Sequence, residues 1–456
     1  MPPLKIDDDF QNKLTESITT LLAYCQQNNW AGYDPYDALN SRIFKALPFL
    51  DFRLFRLGLT QMLKRSPINF RPLLLVPKTQ NPKAIALFLM AFLKLKKLGL
   101  LQDENLITLM TQKLINLRSP SNLYPVKFFE KDSKADLTGA SNSSNSTNSN
   151  NPNNPTNPID STNLLAREIS KNSEAYFTGP SNPYWCWGYS FPWQTRTILV
   201  PRAAPNLVCT TFVADALLDA YEIEKEARYL DMATSSAEYL LNELYWEEDD
   251  SIACFSYPLP SLKNKVHNAN FLAAALLCRV HAFTGENKFL EPALKAARYS
   301  AAKQRDDGSW DYGEHSTQRW VDNFHTGYNL CALRSISQYV ETSEFEPHIR
   351  RGFEFYRKNF FRKDGAPKYF HNRTFPIDIH SVAQSIITLL TFKDLDENNV
   401  NLTHDVFRWA MTNMLNPHGY YCYQKLPYYT IKIPYMRWSQ AWILLALSTL
   451  LEYQKN

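Results

Sequence analysis

The chain contains little glycine, 13 residues in 456. This is about half of the usual share of roughly 7 %. A fold made of many short strands needs frequent turns, so scarce glycine together with Leu- and Ala-rich runs favours helices. The hydrophobic content of 45 % is enough to fill a large core.

The sequence also lacks targeting and cross-linking signals. Residues Met1–Phe10 are polar and acidic with no apolar segment behind them, which predicts no secretory signal. No uncharged run approaches the roughly 20 residues of a membrane span. The seven cysteines form no close pair, so neither a zinc ribbon nor a redox pair is indicated. We therefore expect a cytoplasmic protein with reduced cysteines, no transmembrane segment, no cofactor and no bound metal.

The chain has no strong excess of charge. Its formal net charge is +4, and we interpret the positive charge as not segregated into one basic block. A strongly basic face is typical of proteins that bind nucleic acid. We therefore predict no nucleic-acid partner.

A long internal repeat is present. The stretch from Asp306 to Leu330 holds a turn at Asp307-Gly308, an aromatic loop and the polar start of an apolar helix. Similar turns lie 57 residues before, at Asp250-Ser251, and 57 residues after, at Asp364-Gly365; His418-Gly419 follows at a further 54. Such a period predicts a repeat protein with a long unit.

Each unit contains an apolar helix and an amphipathic helix. The helix that is apolar nearly all round is expected on the inside of the array, and the helix with one apolar stripe on the outside. The predicted inner helices are 206–222, 267–283, 323–341, 378–393 and 435–453, and the predicted outer helices are 226–244, 288–304, 345–360 and 402–415.

The N-terminal third completes the array. Residues 10–27 form a predicted outer helix without an inner partner, and 435–453 lacks an outer partner, so their pairing closes a ring. Residues 81–98 and 103–117 add a further hairpin. The prediction is an all-α toroid of six helical hairpins that occupies residues 1–456 as a single domain. Residues 139–163, rich in Ser, Asn, Thr and Pro, are predicted to be a disordered insertion loop.

The repeat motifs carry a resemblance. Asp307-Gly308-Ser309-Trp310 with Tyr312, and the recurring Gly-aromatic loops, resemble the (α/α)6 toroid superfamily over about residues 182–453. This superfamily includes six-hairpin glycosidase-like proteins and toroidal polysaccharide lyases and epimerases, so the resemblance implies a carbohydrate-active protein. Terpene cyclases and prenyltransferase subunits share a related toroid, but no Asp-rich diphosphate motif is visible.

Polar residues at the starts of the inner helices are the candidate site. The inner helices of such a ring run in one direction, so their N-termini should face one funnel. His267, His325 and His380 recur at spacings of 58 and 55 residues and predict three imidazoles at one end of a cavity. The catalytic candidates are Asp322, His325, Tyr328 and His380. The substrate-binding candidates are Asp34, Trp187, Tyr189, His267, Asn268, Asn270, Trp310, Asn323, Arg437, Trp438 and Gln440.

Structural alternatives exist for several of these residues. Asp322, Asn323 and Asp378 could be helix caps that satisfy free backbone N–H groups. Trp310 and the tyrosines of the loops could pack the rim. The aromatic run 184–193 suits the faces of sugar rings better than simple packing. Arginines in connectors, such as Arg71, could hold an anionic group or lie solvated on the surface.

The residue types suggest chemistry. Glycoside hydrolysis usually needs two carboxyl groups, for which Asp322 with Asp378, or Asp34 with Asp37, are candidates. Proton abstraction beside a uronate, in a lyase or epimerase, needs a neutral base, an acid and groups that hold the carboxylate. His325, Tyr328, Asn268, Asn323, His380 and Arg437 supply that set. A histidine metal site is a third possibility, but spacing alone does not support it.

We therefore predict an enzyme that acts on an oligo- or polysaccharide, an anionic one, by lyase, epimerase or hydrolase chemistry. The alternative is a non-catalytic toroid module that binds a glycan or peptide in a cell-surface polysaccharide biosynthesis system. A protein-modifying role resembling toroidal prenyltransferases is a more distant alternative.

Overall fold

The structure is a computed structural model that describes residues 8–120, 183–196, 198–249 and 251–455. The predicted insertion 139–163 and the predicted turn residue Asp250 lie outside the described residues. That the whole of 1–456 is one domain therefore stays a prediction.

Helices make up most of the described chain. In order they are α1 (Asp8–Gln27), α2 (Arg42–Ala46), α3 (Arg53–Arg65), α4 (Pro82–Lys97), α5 (Asn105–Asn116), α6 (Leu207–Glu224), α7 (Ala227–Tyr239), α8 (His267–Thr284), α9 (Leu290–Ala301), α10 (Asn323–Tyr339), α11 (Glu346–Phe360), α12 (Ile379–Thr391), α13 (Asn398–Met414) and α14 (Trp442–Lys455). Single π-helical turns, Leu240–Leu244 and Met436–Ala441, follow α7 and precede α14.

Six of these helices form a closed inner ring. Helices α4, α6, α8, α10, α12 and α14 each pack against the next, and α14 packs against α4. The outer helices α5, α7, α9, α11 and α13 each follow and cover their inner partner, and α1 covers α14. The predicted all-α toroid of six hairpins, closed by pairing of the first and last helices, is confirmed.

Burial explains the two kinds of helix. Inner helices touch neighbours on both sides and the outer layer behind, so α4 buries four consecutive residues, Ala84, Ile85, Ala86 and Leu87, which point in different directions around the helix. Outer helices bury one stripe: α1 buries Leu14, Ile18 and Leu21 in its centre, at a spacing of three to four residues. The periodicity of the sequence thus determines the layer to which each helix belongs.

Short strands lie in the connections. They are β1 (Trp193–Gln194), β2 (Leu199–Val200), β3 (Tyr245–Asp249), β4 (Ile252–Phe255), β5 (Ile377–Asp378), β6 (Gln424–Lys425) and β7 (Thr430–Ile431). All pairings are antiparallel: β1 with β2, β3 with β4, and β6 between β5 and β7. Strand β5 leads directly into inner helix α12, so this small sheet fixes one wall at the N-terminal end of the ring.

The repeated turn has the same geometry three times. The N–H groups of Gly308, Gly365 and Gly419 donate to the carbonyl three residues earlier, at 2.9, 3.0 and 2.9 Å. All three glycines have positive φ, which disfavours a side chain. At Gly308 a Cβ would also lie 2.3 Å from the Arg351 carbonyl oxygen of α11. The turn therefore locks each loop onto the next outer helix.

Each repeat is tied to the next by a tyrosine carbonyl. Backbone N–H groups at the starts of four inner elements donate to tyrosines of the following loop: His267 to Tyr312, Asn323 to Tyr369, Ile379 to Tyr423 and Met436 to Tyr33, at 2.9–3.1 Å. The last of these bonds joins the end of the chain to its beginning. The contact that closes the ring is therefore one of four similar bonds. Each of them holds a loop tyrosine at the start of an inner element.

Candidate active site

Tyrosines surround a recess at the N-terminal end of the inner ring. This collar consists of Tyr36, Tyr189, Tyr257, Tyr312, Tyr369 and Tyr423. Burial raises the pKa of Tyr312, Tyr369 and Tyr423 well above the usual phenol value, and the nearby carboxylates of Asp322 and Asp378 and other collar phenols raise it further. All except Tyr423 keep partial solvent exposure. The collar therefore encloses a recess that solvent reaches, which we call the basin.

A histidine–aspartate pair stands at the basin. His325 Nδ1 lies 2.8 Å from Asp322 Oδ2, and Trp320 Nε1 donates to the same oxygen at 2.9 Å. A carboxylate only accepts, so Nδ1 carries a proton, and in the neutral imidazole the lone pair lies on Nε2. Nε2 has no hydrogen-bond partner among the described residues, and the ring, 21 % exposed, lies 4.7 Å from the Tyr312 ring. The pair is arranged like a general base held by a carboxylate.

Two aspartates are also helix caps. Asp322 Oδ1 accepts from the backbone N–H of His325, and Asp378 Oδ1 accepts from that of His380. Asp378 accepts further from Trp438 Nε1 and Gln424 Nε2, at 2.9 and 2.7 Å. Burial raises the pKa of Asp378 to about 6. The capping interpretation is correct for both aspartates, and for Asp322 the cap coexists with the contact to His325.

A second histidine is paired with a tyrosine. His380 Nε2 shares a 2.5 Å hydrogen bond with the Tyr328 hydroxyl. Its ring stacks between Trp442 and Phe324, with centroids 4.6 Å from each. Burial, and then the cations Lys83 and Arg437, hold the pKa of His380 well below its usual value. The imidazole is therefore neutral at physiological pH, and the pair can relay a proton without a permanent charge.

A buried ion pair joins the two ends of the chain at the basin wall. Arg437 Nε and Nη2 donate to the two carboxylate oxygens of Asp34 at 2.7 and 2.9 Å, the bidentate arrangement. The guanidinium lies 4.9 Å from the Tyr189 ring centroid. Nη1 has no partner among the residues that the structure describes. This pair both closes the ring and places a cation beside the collar.

Lys83 is a basin residue that the sequence analysis missed. Its Nζ lies 3.8, 5.1 and 5.4 Å from the ring centroids of Phe212, Trp442 and Tyr328. Within the described part of the chain no carboxylate forms a salt bridge with it. Burial, and then Arg437, lower its pKa well below the usual value. A signal existed in the sequence, because Lys83 is the single charge in the otherwise apolar stretch 82–93 that begins α4.

The predicted site residues separate into two groups. Eight meet around the basin: Asp34, Tyr189, Asp322, His325, Tyr328, His380, Arg437 and Trp438. Asn268 is buried, and its Oδ1 has no partner among the described residues. The others lie between the inner and outer layers. For those we revise the prediction of a substrate contact to a structural role.

Three of the revised residues converge on one outer-helix serine. His267 Nδ1 lies 3.3 Å from Ser300 Oγ, Asn270 Nδ2 donates to the same oxygen, and Trp310 Nε1 donates to the Ser300 carbonyl. Burial lowers the pKa of His267 to about 4. The imidazole of His267 faces α9 and not the axis of the helical toroid. Only two of the three expected imidazoles therefore reach the basin.

The remaining three residues, Trp187, Gln440 and Asn323, also have structural roles. Trp187 Nε1 donates to the carbonyl of Leu114 in α5. Gln440 exchanges hydrogen bonds with both backbone groups of Tyr421. Asn323 bonds to the hydroxyls of Tyr356 and Ser385, so it is not a cap. Their polar groups are therefore bonded within the fold and do not face the basin.

Arg71 also differs from the expectation of a solvated arginine. It is fully buried, and its Nε donates to Asp37 Oδ1 at 2.6 Å. The same side chain holds the carbonyls of Asp34 and Leu63. Asp34 and Asp37 are therefore each engaged by an arginine.

Two features are absent from residues 8–120, 183–196, 198–249 and 251–455, a cluster of metal ligands and a membrane-spanning helix. No group of three or more His, Cys, Asp or Glu side chains there is arranged to hold a metal ion. No helix in that part is both long and apolar enough to cross a membrane.

Comparison with known proteins gives the fold. No protein-family model matches the chain, and no curated protein matches its sequence. A solved unsaturated glucuronyl hydrolase specific for heparin aligns over 99 % of this chain and 99 % of its own, with a TM-score of 0.56 and 11 % identity. The GH76 α-mannanase of Bacteroides thetaiotaomicron aligns over 83 % of this chain and 87 % of its own, with a TM-score of 0.53 and 11 % identity. The chain is therefore similar in fold to (α/α)6 toroid proteins.

Proposed function

We propose that the basin is the active site of an enzyme that acts on anionic, uronate-containing oligo- or polysaccharides. The reaction begins with removal of the proton from C5 of a uronate. The observation that carries this proposal is His325, whose Nδ1 is held by Asp322 while Nε2 remains open to the basin. A neutral imidazole held in this way is a suitable base near neutral pH.

The charges around the basin favour an anionic substrate. Arg437 and Lys83 both lie at its wall, and the carboxylates of Asp34, Asp322 and Asp378 are each occupied by donors from the protein. A uronate carboxylate entering here would meet the Arg437 cation, the Lys83 amine and no unengaged carboxylate among the described residues. Neutralising that carboxylate also makes the adjacent C5–H more acidic, because the negative charge of the enolate develops on its oxygens.

The steps can be assigned to named groups. His325 Nε2 takes the C5 proton, and the electron pair of the C–H bond moves into the carboxylate as an enolate. In elimination the C4–O4 bond then breaks, a C4–C5 double bond forms, and the Tyr328 hydroxyl supplies the proton to the leaving oxygen. His380 holds the Tyr328 hydroxyl through their hydrogen bond, and after the product leaves, solvent returns a proton to the phenolate and takes the C5 proton from His325 Nε2. In epimerisation the C4–O4 bond stays intact and Tyr328 protonates C5 from the other face.

Hydrolysis by paired carboxylates is less well supported. That chemistry needs one carboxyl group free to protonate the leaving oxygen and a second free to activate water or attack. Asp322 and Asp378 cap helices, and their four oxygens accept six hydrogen bonds, three to each aspartate. Asp34 is held bidentately. None offers an unengaged oxygen to the basin.

The collar suits a carbohydrate chain. Aromatic faces pack against the apolar faces of sugar rings, and the collar residues Tyr189, Tyr257 and Tyr312 keep partial exposure. The two toroid proteins compared with this chain above are a glucuronyl hydrolase and a mannanase. Their carbohydrate chemistry supports the class of substrate, and the geometry of this chain supports the reaction.

The test is incubation with a panel of polyuronates and glycosaminoglycans in heavy water. Elimination is detected by the ultraviolet absorbance of the unsaturated uronate, and epimerisation by deuterium at C5 in the recovered glycan. His325→Ala should abolish either signal. His418→Ala, which removes an exposed imidazole outside the basin, is the matched control and should leave the signal unchanged.

The outcome separates the two classes of function. Saturable binding of a uronate glycan with neither absorbance nor deuterium would favour the non-catalytic binding module. Full turnover by His325→Ala would contradict the assignment of the base.

A further inference from the structure

The exposed apolar side chains of the described structure are concentrated in one segment. Of the twelve large hydrophobic residues found exposed, eight lie between residues 43 and 75: Ile43, Phe49, Phe52, Leu54, Met62, Ile68, Leu73 and Leu75. Three are more than 70 % exposed, namely Phe49, Leu54 and Leu73. Scattered exposed apolar residues are ordinary, but a cluster of this kind marks an interaction surface.

The same segment is strongly basic. Residues 42–78 contain eight Lys or Arg and a single acidic residue, Asp51. The formal charge of this segment is thus +7, whereas that of the entire chain is +4. The expectation that positive charge is not segregated is therefore wrong for this segment. Asp51 is itself neutralised by Arg56 at 2.8 Å.

The segment rests on a fixed base. Phe44 of α2 stacks on Phe55 of α3, and the backbone N–H of Arg42 donates to the Leu75 carbonyl. Buried Arg71 donates to the Leu63 carbonyl near the end of α3. Helices α2 and α3 and the turn after them are thus connected by contacts within the fold. Their apolar side chains are exposed from an ordered surface and not from a loose end.

We propose that this surface, residues 42–78, docks on an anionic lipid membrane. Protruding Phe and Leu side chains insert between headgroups, and the surrounding Lys and Arg are attracted to anionic lipids, as in other interfacial segments. The combination favours a membrane over the alternatives. Nucleic acid would use the cations but not the apolar side chains, and a second copy of this chain would bring the same positive charge to the interface.

Docking there would place the basin next to the bilayer. Lys64 of α3 donates to the hydroxyl of collar residue Tyr36 at 2.6 Å, and Tyr36 packs 5.7 Å from Trp438 of the basin wall. Arg56 of α3 donates to Gln194 of strand β1, which directly follows the aromatic run 184–193. The substrate would then be a glycan attached to the membrane. This consequence rests on the proposed function, whereas the docking itself does not.

The test is cosedimentation of the full chain with vesicles. Vesicles of phosphatidylcholine with phosphatidylglycerol should bind the protein, and binding should weaken with salt. The triple variant Arg42→Gln, Lys45→Gln, Arg53→Gln should bind on the order of 100-fold more weakly. The variant Phe49→Ser, Leu54→Ser, Leu73→Ser should lose at least about tenfold on both anionic and neutral vesicles.

Matched variants elsewhere on the surface are the controls. Leu109→Ser with Tyr428→Ser removes exposed apolar side chains outside the segment, and Arg350→Gln with Lys358→Gln and Arg408→Gln removes exposed cations. Both should bind vesicles like the wild type. Circular dichroism confirms that each variant is folded, and glycan turnover in the absence of vesicles is measured separately, so loss of docking is distinguishable from failure of the proposed function.

Three results would overturn the proposal. The first is equal binding of the segment variants and the wild type to vesicles. The second is a concentration-dependent dimer that the apolar variant dissociates, with no vesicle binding. The third is duplex DNA binding that only the basic variant loses, again with no vesicle binding.

Discussion

The two ends of the inner ring use charge differently. At the mouth, Lys83 has no carboxylate partner among the described residues, and His325 keeps a free Nε2. At the opposite end, near the C-termini of α6 and α8, Arg279 bonds to Asp215, Asp219 and Glu222 at 2.6–3.3 Å. Carboxylates outnumber the arginine and surround it. The far end is therefore a plug in which the protein's own carboxylates hold the cation, whereas the mouth keeps groups without such a partner for a ligand.

Arg437 at the mouth sharpens this contrast. Its pair with Asp34 is almost wholly buried, while the carboxylates around Arg279 remain partly exposed. A buried charge that loses its partner cannot be rescued by water, and an exposed one can. Equal substitutions at the two ends should therefore have unequal consequences.

The largest effect is expected for Asp322→Asn. Asparagine still caps α10, so stability should be almost unchanged. If the amide oxygen keeps the cap, the amide NH2 replaces Oδ2, and it cannot accept from His325 Nδ1 or Trp320 Nε1, which both bond to that oxygen in the wild type. The base loses its fixed tautomer, and turnover of the uronate substrate should fall by about 10²–10⁴-fold. Asp378→Asn preserves the cap of α12 in the same way and provides the comparison. Similar turnover by both variants would contradict the special role of Asp322.

Asp34→Ala should produce the largest loss of stability. It leaves Arg437 buried beside Tyr189 with no counter-ion, which costs about 3–5 kcal/mol. Chemical denaturation measures the change. The double variant Asp34→Ala, Arg437→Met removes both charges and should recover most of that loss. A single variant within about 1 kcal/mol of the wild type would show that water reaches the guanidinium.

How far the sequence could predict this molecule depends on the kind of residue. Inner and outer helices were predictable because burial on all sides or on one stripe leaves a periodic trace, as in α4 and α1. Ring closure was predictable from the unpartnered first and last helices. These features depend on the average environment of a whole helix, which the composition of about fifteen residues records.

The site was less predictable because adjacent positions face opposite layers. His267 and His325 occupy similar places near inner-helix starts, yet His267 turns to Ser300 and His325 to the basin. A helix advances about 100° per residue, so a shift of two residues relative to the cap reverses the direction. His267 begins its helix, whereas His325 is two residues inside. Periodicity alone does not locate the cap accurately enough to decide this.

Arg279→Met should have a moderate effect at the far end. Three carboxylates lose their counter-ion, but their partial exposure limits the cost to about 1–3 kcal/mol. Burial raises the pKa of Asp215 to about 6 although Arg279 acts to lower it. Without the arginine this pKa rises further, so the variant should lose less stability at about pH 5 than at about pH 8. Turnover per folded molecule should not change, since the plug does not face the basin.

Lys83→Met should have the smallest effect and the opposite sign. Burial lowers the pKa of Lys83 in the folded protein below its pKa in the unfolded chain. At a pH below the unfolded pKa, the unfolded chain therefore binds a proton that the folded protein excludes. Attraction of an ammonium to the Phe212 ring, up to about 2 kcal/mol, does not offset a desolvation of several kcal/mol. Methionine should therefore stabilise the protein by about 1–2 kcal/mol at neutral pH, and the gain should shrink as the pH rises toward about 10.4.

Ligand binding gives the complementary measurement for Lys83. If this amine is neutral in the empty basin, a uronate carboxylate entering beside it should raise its pKa and draw in a proton. Titration calorimetry in buffers of different ionisation enthalpy should then show proton uptake by the wild type and less uptake by Lys83→Met. Uptake that is identical in the two proteins would place the responsible group elsewhere in the basin, with His325 as the next candidate. A mouth that gains its charge only with the ligand in this way is the functional opposite of the plug around Arg279, where the protein's own carboxylates hold the cation before any ligand arrives.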